Sequence, residues 1–180
     1  MIQVKSLLNL GPSAHTGTIK KTVDEIFFES SPKKSFTSAA ERDAFKFKYL
    51  DWYAQNCPQY FLVALGEKSE VLGYICGVAD TRSHPDLSSL HPWFHIFEDC
   101  FSLYPAHLHI NCAESARGRN IGSTLLAVFE NYLRSDGVIG VHLVTAPQAR
   151  NVGFYDKNGY NFTKINHWKE NALLLMGKAF

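Results

Sequence analysis

Seven residues, Arg117-Gly118-Arg119-Asn120-Ile121-Gly122-Ser123, constrain this chain more than any other stretch. They follow an apolar run over residues 106–113 and lead into an amphipathic run from Ile121 to about Arg134. In that second run Ile121, Leu125, Val128, Phe129, Tyr132 and Leu133 recur at three- and four-residue intervals, the spacing of one apolar helix face. A strand, a glycine-containing turn and a helix start together leave several backbone N–H groups without intrahelical acceptors, at the positive end of the helix dipole. The stretch therefore reads as an anion-binding turn suited to a phosphate. A plain tight connection would use the same residues, so the rest of the chain has to decide.

The bulk properties narrow the choice. At 180 residues and 46% hydrophobic, the chain can bury a sizeable core, and one domain over residues 1–180 is expected. A formal net charge of +1 gives no general attraction to nucleic acid or acidic membranes, so phosphate recognition must be local. The N-terminal segment Met1-Ile2-Gln3-Val4-Lys5 lacks the pattern of a signal peptide, and no apolar run approaches a membrane span; a cytoplasmic location is expected. Cys57, Cys76, Cys100 and Cys112 show no Cys-x-x-Cys spacing and are expected to be free, mostly buried thiols.

Along the chain, residues 2–8 read as a first strand ended by Gly11-Pro12-Ser13, and residues 18–29 as a helix stopped at Ser31-Pro32. Thr37-Ser38 with Glu41 is an N-cap signature for a second helix. Phe45, Tyr49, Trp52 and Tyr53 then mark its apolar face as far as Cys57-Pro58. Residues 60–66 and 71–79 form a hairpin pattern. The segment from Asp80 to Pro105 is aromatic and proline-containing. The spacing of Phe94, Phe97 and Phe101 predicts a helix that completes the core or, less simply, lids a ligand site. A buried strand at 106–113, the glycine turn and its helix follow, closed by Asp136-Gly137. Next come a strand at 140–146, a helix from Pro147 through Asn158 with Gly159 after it, and a terminal hairpin at 160–166 and 172–178. The order is β-α-α-β-β-insert-β-α-β-α-β-β, one mixed α/β sheet.

With the turn at 117–122, a strand about twenty residues later and Phe154-Tyr155-Asp156-Lys157-Asn158-Gly159-Tyr160 on the helix after it, the chain resembles the GNAT superfamily of acyl-CoA-dependent N-acetyltransferases. The family pattern is Arg or Gln, two residues, Gly or Ala, one residue, Gly or Ala, and later Asn-x-x-Ala-x-x-Phe-Tyr-Glu-Lys-x-Gly-Phe. The resemblance covers residues 60–166 well and 1–57 only in element order. Within it, Tyr104-Pro105-Ala106-His107-Leu108-His109-Ile110 is similar to bacterial acetyltransferases related to the acetyltransferase-like region of O-GlcNAc hydrolases. Two positions depart from the pattern. Asn120 stands at the first turn glycine, where Asn is among the residues that best tolerate a left-handed backbone. Gln148 and Asn151 stand at the helix's Asn and Ala, and either could supply its amide contact.

The resemblance implies a mixed, mostly antiparallel α/β (α+β) sheet with splayed central strands and about four helices. It implies acetyl-CoA (CoA) as the cofactor, the pantetheine arm on main-chain groups around Asn111, Cys112 and Ala113, and the pyrophosphate on residues Arg117 to Ser123. It further implies transfer of an acetyl group to a primary amine by direct attack in a ternary complex. Tyr155 matches the residue family members commonly use as the acid for the leaving thiolate; a phenol's ordinary pKa of about 10 suits that task. His107 and His109, two apart on one strand face, are equal candidates for the base. No metal is expected, because Cys112 falls on the opposite strand face from both imidazoles. Asp80, Asp86, Glu98 and Asp99, with Trp93 or Phe97 as a wall, are candidates to receive a cationic amine. The expected partners are a small-molecule or peptide amine and, at most, a second copy in a homodimer. Neither nucleic acid nor membrane is expected. The alternative is a weakly active or inactive acyl-CoA-binding or protein-interaction domain on the same fold. A nucleotide enzyme is disfavoured, since no Gly-Lys-Ser/Thr ending or Gly-x-Gly-x-x-Gly is present.

Overall fold

The computed structural model describes residues 2–11 and 17–180, so the expectation for Pro12 and Ser13 lies outside the described residues. The chain divides into two compact units, Met1–Gly77 with His109–Phe129, and Val78–Leu108 with Glu130–Phe180. The strand order is β1-β2-β3-β4-β5-β7-β6, with β1 Gln3–Ser6, β2 Phe61–Leu65, β3 Val71–Val78, β4 Ala106–Cys112, β5 Gly140–Thr145, β6 Phe162–Trp168 and β7 Asn171–Ala179. This is the expected mixed, mostly antiparallel α/β sheet, and it is open: β4 pairs parallel to β5, and β1-β2, β2-β3, β5-β7 and β6-β7 pair antiparallel.

In the first unit β1 runs only from Gln3 to Ser6 rather than through residue 8, because the Ser6 hydroxyl accepts the Asn9 N–H at 3.2 Å and starts a helical turn, α1 Leu7–Leu10. Helix α2 Thr18–Ser30 buries Val23, Ile26 and Phe27. Each contributes about 1.5–3 kcal/mol of apolar burial, which is what holds a helix with few capping contacts. Helix α3 Ala39–Lys46 begins as the sequence predicts. Ser38 Oγ accepts the Glu41 N–H at 3.1 Å, and the Glu41 carboxylate accepts the Thr37 N–H at 2.6 Å. The helix then widens into a π-turn at Phe47–Asp51, closed by Trp52 N–H donating to Phe47 O, before α4 Trp52–Asn56. Strands β2 and β3 are buried along their whole length, as continuous runs of Val, Leu, Ile and Tyr require.

In the second unit the 80–105 segment contains α5 Pro85–Leu90 and a 3₁₀ helix over Pro92–Cys100. Phe94, Phe97 and Cys100 are buried at a strict spacing of three, the period of a 3₁₀ helix and not of the α-helix expected there. Helix α6 Ile121–Ser135, which contributes to both units, ends as expected: Gly137 is left-handed at φ 74°, its N–H donates to Arg134 O at 3.0 Å, and Val138 N–H to Leu133 O at 3.0 Å. The last helix, α7 Val152–Lys157, starts five residues later than Pro147 suggests. Residues 146–152 instead make i to i+3 turns, Ala149 N–H to Ala146 O and Val152 N–H to Ala149 O, and a proline preset at φ near −65° suits a turn as well as a helix start. The seven α-helices among the described residues exceed the four or so expected because the π-turn splits one and two, α1 and α5, are short. Among the described residues no helix is long and apolar enough to cross a membrane.

Candidate active site

Strand β4 ends in a 3₁₀ turn, Glu114–Ala116, anchored by buried Ala116. After it the backbone becomes left-handed twice in three residues, Gly118 at φ 74° and Asn120 at φ 62°. Alternating hands of this kind turn successive N–H groups toward one side and form a concave anion nest. The Asn120 carbonyl then opens α6, accepting both the N–H and the hydroxyl of Thr124 at 3.0 Å. Ile121, 1% exposed, pins the helix start to the core, while residues 117–120 are exposed. The substitution of Asn for glycine thus preserves the turn by the means expected of it, adoption of a left-handed backbone. A Cβ at Gly118 would meet nothing within 4 Å, so that side of the nest is open to a ligand. The Arg117 side chain makes a loose contact with Glu114, at 3.9 Å and in solvent, worth little as a surface pair and easily exchanged for a phosphate.

The expected pantetheine stretch ends β4. Ala113 N–H donates to Leu72 O at 3.0 Å, and the Asn111 amide donates to the Tyr74 hydroxyl at 2.8 Å. Gly73 is required beside it: a Cβ there would come within 2.8 Å of Asn111 O. Burial raises the pKa of the partly exposed Cys112 thiol.

The two histidines on β4 part company. His107 is 2% exposed. The Thr81 hydroxyl donates to Pro105 O at 2.9 Å, so at 2.8 Å it accepts from His107 Nδ1–H. Phe94 and His142 flank that ring at centroid distances of 5.2 and 5.8 Å. His109 is half-buried. Its Nε2 is 3.1 Å from the Tyr53 hydroxyl, and the rings of Tyr49 and Tyr53 meet it edge-on at 5.8 and 5.2 Å. Burial holds both phenols protonated by raising their pKa values. Tyr49 and Tyr53 were legible only as an apolar helix face; their four-residue spacing, which puts both on one side of the helix, was the available signal.

Tyr155 is 5% exposed and lies in the second unit, near the C-terminal end of α7. Its position is fixed by a complete C-terminal cap. Tyr160 N–H donates to Tyr155 O at 3.1 Å, Gly159 N–H donates to Asp156 O at 2.9 Å with Gly159 at φ 90°, and the rings of Tyr155 and Tyr160 meet at 5.7 Å. Glycine at that position and an aromatic after it are what this cap demands. Gln148 is exposed. Asn151 accepts the Thr145 hydroxyl at 3.1 Å, while its own carbonyl accepts the N–H groups of Phe154 and Tyr155. Of the acceptor candidates, Phe97 is fully buried in the core and forms no exposed wall. Asp80 is held by Arg82 at 3.1 Å and Asp99 by Lys164. A separate groove of about 520 Å³ along α2 carries Lys20, Lys21, Asp24, Glu25 and Arg42. Lys20 pairs with Asp24 at 2.8 Å and Lys21 with Glu25 at 4.0 Å, so the groove has no strong field of one sign.

A mixed open sheet whose central strand feeds an exposed, twice left-handed turn at a helix N-terminus offers backbone N–H groups to an anion. The model of the acetyltransferase (GNAT) family matches residues 21–160, and the chain belongs to that family. Solved structures agree on the fold. SsHAT has a TM-score of 0.74 at 20% identity, covering 99% of this chain and 98% of its own. PH1933 from Pyrococcus horikoshii OT3 has 0.69 at 15%, covering 100% and 99%. The PaiA N-acetyltransferase from Thermoplasma acidophilum, solved in complex with coenzyme A, has 0.61 at 17%, covering 100% and 99%. The GNAT fold uses acetyl-CoA, and the residues present fit it: an open nest, exposed arginines at 117 and 119, and a left-handed Asn120.

Asn120→Gly is expected to leave both stability and acetyl-CoA affinity at or above the parent level. Asn120→Val is expected to lose about 1–2 kcal/mol and to weaken acetyl-CoA binding with it. Denaturant melts and calorimetric titration of the two variants check this.

Proposed function

We propose that this chain is an N-acetyltransferase that moves the acetyl group of acetyl-CoA onto a primary amine by direct attack within a ternary complex. The observation that carries the reading is the left-handed Asn120 in an open nest at the head of α6, in a chain matched over residues 21–160 by the GNAT model. In this reading the N–H groups of Arg117 to Ser123 hold the pyrophosphate, with Arg117 and Arg119 adding charge. Main-chain groups of Asn111, Cys112 and Ala113 hold the pantetheine arm, and Gln148 or Asn151 adds an amide contact. When bound, acetyl-CoA supplies an activated acyl thioester.

Tyr155 holds a proton at its hydroxyl for the departing sulfur. For the base we favour His109 over His107. His109 is half-buried and backed by protonated phenols, whereas His107 is closed in by Thr81 and Phe94 and suits a supporting role. The base takes its proton from the acceptor ammonium directly or through water. The acceptor is a small-molecule or peptide amine, the classes on which enzymes of this family act. We take residues 1–180 as one cytoplasmic catalytic domain. Its narrower kinship, suggested by residues 104–110, is with the bacterial relatives of the O-GlcNAc hydrolase acetyltransferase-like region.

Thermal shift with acetyl-CoA, followed by thiol release against a panel of amines, tests the proposal. Stabilisation by acetyl-CoA but not by ATP or NAD, with thiol release on at least one amine, is the expected result. No stabilisation by acetyl-CoA would remove the reading altogether.

A further inference from the structure

Among the contacts that tie the end of α7 to the rest of the second unit is one ammonium group. Lys178, on β7 opposite Val141 of β5, donates from Nζ to the Asn158 carbonyl at 2.9 Å and to Glu130 Oε2 at 2.7 Å. Asn158 is the residue at which α7 ends. Glu130 lies on α6 and is 5% exposed; its carboxylate also faces the Tyr160 hydroxyl. The lysine stem runs beneath Gly159, where a Cβ would come 3.3 Å from its Cε, and its Nζ stands 5.7 Å from the centre of the Tyr160 ring. One side chain therefore joins β7, α6 and the cap that fixes Tyr155.

Two physical points separate this arrangement from plain core packing. A six-residue helix such as α7 cannot hold itself, since helices that short are unstable without tertiary contacts. An ion pair with a buried carboxylate and a lysine whose side chain is 23% exposed is, in turn, a poor source of stability, because well-packed apolar residues of similar volume hold a fold as well or better. What the lysine supplies, and apolar residues cannot, is a directional bond to the carbonyl of Asn158, the residue that caps α7. We infer that Lys178, held by Glu130, is the positioning residue for Tyr155, fixing the end of α7 so that the phenol keeps its place during turnover.

The inference rests on Tyr155 as the acid, and the test separates the two. Glu130→Leu combined with Lys178→Met removes both charges together, leaving no buried charge unpaired, so the melting temperature is expected to stay at or above the parent value. Its kcat is expected to fall about 10-fold, as a small misplacement of a reacting group produces, with KM for acetyl-CoA within about twofold. In a Tyr155→Phe background the same pair of changes is expected to do nothing further to kcat, because the group it positions is gone. Should the double variant melt early, the same cycle is read from Glu130→Gln combined with Lys178→Gln, which also leaves no buried charge unpaired and where the expected loss is about 3-fold. Parent-level kcat in a folded variant overturns the inference, and so does a loss that persists in full in the Tyr155→Phe background. Parent-level kcat in Tyr155→Phe alone overturns the acid assignment and removes the inference with it.

Discussion

Tyr155→Phe is expected to lower kcat by roughly 10²-fold, the lower end of what a positioned general acid contributes, with KM for acetyl-CoA changed by less than about twofold. The change removes one oxygen. The aromatic contacts with Phe154 and Tyr160 at 5.2 and 5.7 Å remain, as do the backbone bonds of the cap. The two kinetic parameters separate chemistry from binding: an interaction used only in the transition state appears in kcat and not in ground-state affinity. A steady-state comparison on one amine settles it, and an unchanged kcat would take Tyr155 out of the mechanism.

The protein is also expected to lose stability as pH falls below about 6.5, through His142. This residue is fully buried beside His107, on the paired position of β5. Its Nδ1–H donates to the Tyr104 carbonyl at 2.7 Å and its ring stacks on Phe101 at 4.8 Å. Burial pushes its pKa down from 6.5 to about 4, against the opposing pull of the Tyr104 carbonyl. A histidine whose folded value is depressed stays neutral in the native state while the unfolded chain binds its proton. Its full stability is therefore present above the unfolded value of 6.5 and drains away as pH drops toward the folded value of about 4. The loss is about 2 kcal/mol at pH 5 and about 3 kcal/mol by pH 4. Urea melts at pH 7.5 and pH 5 measure it. His142→Asn, which keeps a donor for Tyr104 O but cannot titrate, is expected to be less stable at pH 7.5 and to show a shallower decline. An equal decline in both proteins would show that other groups carry it.

How far each feature was readable depended on whether its cause was local. Gly159 and Gly137 announced their helix ends because the left-handed cap conformation is a property of one residue. Asn120 could be read the same way. The capping pair Ser38 and Glu41 was legible because both partners lie within three residues. The start of α7 was not, since Pro147 is equally at home in the i to i+3 turns that occupy that stretch. Ser6 looked like one more strand residue, although its hydroxyl ends the strand. The contrast between His107 and His109 could not be read at all. Strand alternation puts both on one face, and only the tertiary placement of Thr81, Phe94, Tyr49 and Tyr53 makes one buried and the other accessible. Likewise, spacing alone did not distinguish Phe94 and Phe97 on a 3₁₀ helix from an α-helical face.

The π-turn at Phe47–Asp51 is in effect one residue more than a regular helix needs between α3 and α4. Removing a single residue from it would restore ordinary i to i+4 bonding but would turn everything from Trp52 onward by about 100°. Tyr53 would swing away from His109, and the buried ring of Trp52 would leave the core. A one-codon deletion here would therefore mend the helix and part Tyr53 from His109, so the local irregularity cannot be tidied without erasing the polar contact it permits.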